Sequence, residues 1–286
     1  MKYIYILLSS ATLLVSCVTE EKPKEWVFQK TIKIDDVNPI GITNANGELW
    51  LSDGDHNRLV QIDDKGKILK QIDSLDRPMH IDSNHDLLYV PQYGNDKVEV
   101  FYPKTRTAIV LEGFEREEIK TKKNDSLDAP SSIAILHNEI AITDFYNNRI
   151  LFNNGKEWIY FGKEGNAKGY FYYPTDVQLT DSLIWVADAY NNRIQVFNKK
   201  GEFVKMMGHE YKMNAATGLF VAKNEVFITD FENNRVLVFD HEGILKQELK
   251  EGISKATDVL IKDDMLHIIN YRAGELVLYD LQEKKE

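Results

Sequence analysis

His80, Asp176 and Asp258 are the residues of this chain with the clearest shared chemistry. One imidazole and two carboxylates make a donor set for a divalent metal. Each is the third residue of a short recurring motif, usually Pro, then Thr or Ser, then Asp or Gly, then an aliphatic residue. In the six copies this position holds Gly41, His80, Ser132, Asp176, Gly218 and Asp258, so the candidate ligands fall on copies two, four and six. The competing role is structural: an Asp here can bond a neighbouring backbone amide. That role leaves His80 unexplained. A second candidate set is aromatic: Tyr93, Phe145, Tyr146, Tyr190, Phe231 and Tyr271. Partly exposed rings with Asn and Asp between them suit ligand binding to a sugar, a peptide or a protein partner. The alternative is packing of each ring against the neighbouring repeat, and a complete exposed ring of six is not expected.

The motif that positions both sets begins at Pro39, Pro78, Pro130, Pro174, Ala216 and Ala256. Fourteen residues after each start a polar residue closes an apolar run: Asp53, Gln92, Asp144, Asp188, Asp230 and Asn270. Five residues further on stand Arg58, Lys97, Arg149, Arg193, Arg235 and Glu275. A constant interval means one supersecondary unit repeated six times. Recurrence in every copy marks these polar and basic residues as scaffold, because one site does not need six copies. The aromatic candidates follow the closing residue directly.

Within each copy, short β-branched and aromatic runs are bounded by Asn, Asp and Gly, the pattern of antiparallel strands. The apolar positions recur two and four residues before the closing residue, and six and nine after it. In the third copy Asn153 takes the last of these and Phe152 comes one residue early, so that strand is expected to be shortened or bulged. Copy starts lie 39, 52, 44, 42 and 40 residues apart. Four strands at this period make the blade of a β-propeller. The expected fold class is all-β, a six-bladed propeller of four-stranded antiparallel blades. The last copy lacks an outer strand, and the segment 26–34 supplies one, closing the ring and removing an exposed edge. The longest interval carries a charge-rich insertion, 111–127, on the same face as the aromatics, a candidate binding loop.

The stretches Tyr173-Pro174-Thr175-Asp176-Val177, Asp188-Ala189-Tyr190-Asn191-Asn192-Arg193-Ile194-Gln195-Val196-Phe197 and Asp230-Phe231-Glu232-Asn233-Asn234-Arg235-Val236 resemble the NHL repeat family of six-bladed propellers, over residues 26–280. The resemblance implies the fold; function depends on the site grafted onto it. One NHL-like relative, the peptide-amidating lyase, is a zinc enzyme whose metal histidines lie directly after Pro. Here that position holds Ile40, Met79, Ser131, Thr175, Thr217 and Thr257, so that zinc site is absent. No lactonase-like Glu and Asn set, serine-nucleophile elbow or glycine-rich phosphate loop is legible. The leading expectation is therefore a binding module with no cofactor; a channel-metal enzyme, lyase or lactonase-like hydrolase, is the alternative.

A net charge of −10 argues against nucleic acid as partner. At the N-terminus Lys2 precedes an apolar stretch of 13 residues, too short to span a bilayer and suited to a signal-peptide core. Leu14-Val15-Ser16-Cys17 resembles the bacterial lipobox, and Cys17 is the only Cys. The expected organisation is a signal peptide at 1–16, a lipidated tether at 17–25 and the propeller at 26–286. Acylated Cys17 would hold the protein to a membrane without a spanning helix, with outer-membrane delivery in the cell envelope. The competing assignment is an ordinary secretory signal with an incidental Cys.

Overall fold

The computed structural model describes residues 22–105, 107–110 and 126–284. The leader with Cys17, and 111–125 of the insertion, lie outside the described residues. Strand β1 (Lys24–Lys33) is followed by blade one, β2–β5 (Pro39–Ala45, Glu48–Asp53, Arg58–Ile62, Ile68–Ile72), and blade two, β6–β9 (Asp82–Asn84, Leu87–Gln92, Lys97–Tyr102, Thr107–Val110). Blade three is β10–β13 (Pro130–Leu136, Glu139–Asp144, Arg149–Asn153, Trp158–Phe161), and blade four is β14–β17 (Pro174–Leu179, Leu183–Asp188, Arg193–Asn198, Phe203–Met207). Blade five is β18–β21 (Ala216–Val221, Val226–Asp230, Arg235–Phe239, Leu245–Leu249), and β22–β24 (Ala256–Lys262, Met265–Asn270, Glu275–Glu283) begin blade six. β1 completes blade six by pairing antiparallel with β24, so the first and last strands of the domain share one sheet. The fold is a six-bladed propeller. Among the described residues no helix is long and apolar enough to cross a membrane.

The recurring apolar positions meet between adjacent blades. Trp185, Ile194 and Val196 of blade four pack with Leu219, Val226, Ile228 and Leu237 of blade five in one continuous buried cluster. The third blade corrects one expectation. β12 is neither shortened nor bulged against β11: Ile140 pairs with Asn153 and Ala141 with Phe152 in unbroken register. Phe152 is fully buried at a regular strand position, under the Lys199 ammonium.

The polar part of the repeat is joinery. All six closing residues are buried. Each accepts a backbone amide from just upstream of its own blade's motif: Asn38, Asp76, Asp128, Tyr172, Asn214 and Ser254. Where the closing residue is Asp, the residue five on is Arg and pairs with it at 2.6–3.0 Å. Where it is an amide, the partner becomes a carboxylate: Gln92 donates to Glu99 and Asn270 to Glu275. The pairing preserves complementarity while inverting donor and acceptor. Asn57, Asn148, Asn192 and Asn234 adopt the left-handed conformation that Asn tolerates, and each accepts the amide preceding the next blade's motif.

Candidate functional site

Each inner strand with the Pro or Ala motif in blades one, three, four and six is bulged at the motif's second residue. A bulge leaves one residue unpaired in its own ladder and redirects its side chain. The freed hydroxyls reach the next blade: Ser131 donates to the Pro174 carbonyl, Thr175 to Ala216, Thr217 to Ala256 and Thr257 to Pro39. Blade one carries Ile40 there, and Ser52 substitutes by donating to the Met79 carbonyl. The hydroxyl of the motif therefore belongs to an inter-blade belt.

The motif's third residue faces the channel, and the structure brings His80, Asp176 and Asp258 together. Their ligand atoms all lie within 4.8 Å of one another, and the residues are 4%, 2% and 6% exposed. Small and large residues alternate around this layer, with Gly41, Ser132 and Gly218 between them. The small residues let the carboxylates cross to the next blade. Asp176 Oδ2 accepts the Leu219 amide at 2.7 Å, just past Gly218, while Oδ1 accepts the Ser132 hydroxyl and the Val177 amide. Asp258 Oδ2 accepts the Ile42 amide at 2.9 Å, just past Gly41, and Oδ1 the Val259 amide. The structural role expected for these carboxylates is thus present in full, and the convergence is present as well.

Blade two departs from the pattern. Its inner strand leaves β7 at His80: the His80 amide donates to the Ser131 carbonyl, and His80 forms a parallel bridge with Ser132. The carboxylate of this blade stands two residues on, at Asp82, where it accepts the Ser83 amide and the Ile135 amide of blade three. Asp82 escaped the sequence reasoning, although it is the one charged residue five places into any of the six motifs. His80, Asp82, Asp176 and Asp258 line a cavity of about 50 Å³ with Ser132 and Gln178. Burial dominates its electrostatics. It pushes Asp82 up to about 7 against the Ile135 and Ser83 amides, with the Asp176 and Asp258 carboxylates adding to the rise. It pushes Asp176 up to about 6, opposed first by His80. Burial works against the His80 imidazolium, but the Asp176 and Asp258 carboxylates outweigh it and hold His80 above its ordinary value.

The aromatic candidates divide into two groups on the top face, the face onto which the loops between second and third strands open. Tyr93 donates to the Tyr146 hydroxyl at 2.6 Å, and both rings pack on Phe145. Phe145 stacks on Tyr173 at 4.8 Å, which meets Tyr190 edge-on. Tyr172 and Tyr173, from the connection into blade four, join this run; Phe171 beside them is fully buried. Phe231 and Tyr271 form a separate pair under Lys255 and Arg272, and Tyr271 donates to Asp55. Tyr146 and Tyr190 are the two most open candidates, at 49% and 60% exposed. Between the groups lies a cavity of about 400 Å³ over blades three to five. Phe145, Tyr190 and Phe231 wall it, and Thr175, Asn192, Asn214, Thr217 and Glu232 supply polar atoms. Thr175 lines this pocket while its neighbour Asp176 lines the channel cavity.

Residues 171–197 match the NHL repeat. No curated protein sequence matches the chain. Solved structures similar to it include a streptogramin B lyase, at 16% identity and TM-score 0.64 over 91% of this chain and 98% of that one. Virginiamycin B lyase from Staphylococcus aureus aligns at 14% identity and TM-score 0.65 over 90% and 99%. A gluconolactonase from Xanthomonas campestris aligns at 13% identity and TM-score 0.68 over 91% and 100%. At these identities the likeness is one of fold.

Proposed function

We infer that this chain is an extracytoplasmic binding module that takes a sugar unit or a peptide side chain, free or borne on a protein partner, in the top-face pocket over blades three to five. The pocket carries the reading. Its volume, about 400 Å³, lies within the range of roughly 300–1,000 Å³ usual for ligand sites, and apolar walls with few polar groups are their usual make-up. The Phe145, Tyr190 and Phe231 rings offer apolar surface, and the Thr hydroxyl oxygens, which can still accept, and the Asn side-chain amides, which can still donate, offer hydrogen bonds. The lipobox-like Leu14–Cys17 supports acylation at Cys17, which holds the propeller to the outer membrane. The test is a glycan array and a peptide library probed with wild type, Tyr190→Ala and Phe231→Ala. Ligands held by wild type and released by both variants support the reading. Ligands held equally by all three, or none held by wild type, sink it.

A second reading, an enzyme using the channel, is favoured by the convergence of His80, Asp176 and Asp258. Structures named as lyases and as a gluconolactonase share the fold. The channel cavity of about 50 Å³ admits an ion and a water rather than a substrate of that size, so this reading requires chemistry at its mouth. Turnover of gluconolactone, or of quinupristin, with which a virginiamycin B lyase of this fold was solved, lost in His80→Ala, would establish it; no turnover of either leaves the binding module.

A further inference from the structure

We propose that His80, Asp176 and Asp258 bind one divalent first-row cation, of the zinc or manganese class, inside the channel. The acidic pair alone would not carry this, since both carboxylates have amides to hold. The independent observation is His80. Its side chain is 5% exposed, and its Nδ1 is buried with no hydrogen-bond partner. Nδ1 stands 3.4 Å from Asp258 Oδ2, an ion-pair distance rather than a formed hydrogen bond. A buried ring nitrogen left unpaired is costly, so such a group usually marks a missing partner.

The His80 Nδ1 and Asp258 Oδ2 atoms already have the spacing of two ligands on one ion, while the three ligand atoms together lie within 4.8 Å of one another, so the set must draw in around the ion. The edge of a tetrahedron with bonds of roughly 2.1 Å is about 3.4 Å, the usual arrangement for His and carboxylate ligands on zinc. Each carboxylate oxygen has two acceptor sites. Asp176 Oδ1 uses both, on Ser132 and Val177, but Oδ2 uses one, on Leu219. Asp258 uses one on each oxygen, for Val259 and Ile42. Every proposed ligand therefore keeps a free lone pair, and the amide bonds become the supports that orient metal ligands. Within the ligand set, a neutral imidazole and two buried carboxylates sum to −2, which a divalent ion cancels; the Asp82 carboxyl lines the same cavity. A mixed nitrogen and oxygen donor set favours zinc or manganese over calcium and magnesium, which prefer oxygen alone. The cavity of about 50 Å³ leaves room for about one water as a further ligand. Because the ligands come from blades two, four and six, the ion would clasp three blades. The enzyme reading rests on this ion; the top-face pocket does not.

The test uses the purified full chain. Its metal content is measured by elemental mass spectrometry as isolated, after a chelator, and after reloading with zinc or manganese. The expected result is about one ion per chain, a lower Tm after chelation that reloading restores, and at least a tenfold lower content in His80→Gln with wild-type content in His209→Gln, whose imidazole is exposed. If His80→Gln does not fold, Asp176→Asn and the visible spectrum of the cobalt-loaded wild type give the same read-out, a nitrogen-containing tetrahedral site. A cooperatively melting wild type with no stoichiometric ion and no Tm shift in either metal would overturn the proposal, leaving a proton on His80 in place of the ion. An ion content indifferent to His80→Gln would overturn it too, as an adventitious ion only.

Discussion

Gly41 and His80 touch across the junction of blades one and two: a β-carbon on Gly41 would stand 2.7 Å from the His80 Cα and 2.7 Å from the Met79 carbonyl oxygen. Gly218 has the same relation to blade six, where a β-carbon would meet the Thr257 carbonyl oxygen at 2.1 Å. The inner strands approach closely only because these positions carry no side chain.

Gly41→Ala and Gly218→Ala are therefore expected to destabilise by about 1–3 kcal/mol each, the scale of overpacking against a backbone that must move. Thermal melts test this. A Tm within a degree of wild type for both variants would show that the close approach is not needed.

Asp188 is buried and holds Arg193, Asn191, Gln195 and the Tyr172 amide at once. Asp188→Ala strands the Arg193 guanidinium in a buried site and is expected to cost about 3–5 kcal/mol in urea denaturation. Asp188→Asn keeps an acceptor for the Tyr172 amide and is expected to be milder than Asp188→Ala, whereas Arg193→Glu would set a carboxylate against the Asn166, Ala167 and Tyr170 carbonyls that Arg193 now satisfies; an Asp188→Asn variant as destabilised as Asp188→Ala would contradict this account.

Glu248 provides a pH signature. Its hydrogen bond to Arg235, and then Lys250, holds its carboxyl below the ordinary glutamate value of 4.5. A depressed folded-state pKa means the contribution is present above that value and is lost as pH falls through the lower, folded one. The Tm gap between wild type and Glu248→Gln should thus be largest near neutral pH and close below pH 4.5. A gap constant from pH 3 to 7 would remove the ion pair from the account.

Cys17→Ser tests the anchor. Expressed in a bacterium and labelled with a fatty acid, wild type is expected to carry label and to sediment with membranes, whereas the variant carries none and is released. Equal labelling of both chains would exclude Cys17 as the acylated residue.

Local spacing determined much of this protein. A motif of constant interval specifies six copies, because each strand is built from near neighbours whose apolar positions must all face the same two adjacent blades. The missing outer strand of blade six, and the complement at the N-terminus, followed from counting strands. Equal register even placed His80, Asp176 and Asp258 in one layer of the channel, since equivalent positions of a closed ring face a common axis. What the tertiary structure decided lies between blades. The aromatic candidates of blades two to four became one packed run, because Tyr172 and Tyr173 enter from a connection outside the repeat. The pocket between Tyr190 and Phe231 exists only where that run stops. Blade two's inner strand pairs sideways with blade three, moving its amide-bonding carboxylate to Asp82 and leaving the His80 Nδ1 without a formed hydrogen bond. Such close approaches depend on which small residue faces which large one across a junction, a relation between distant segments that the spacing within any single repeat does not contain.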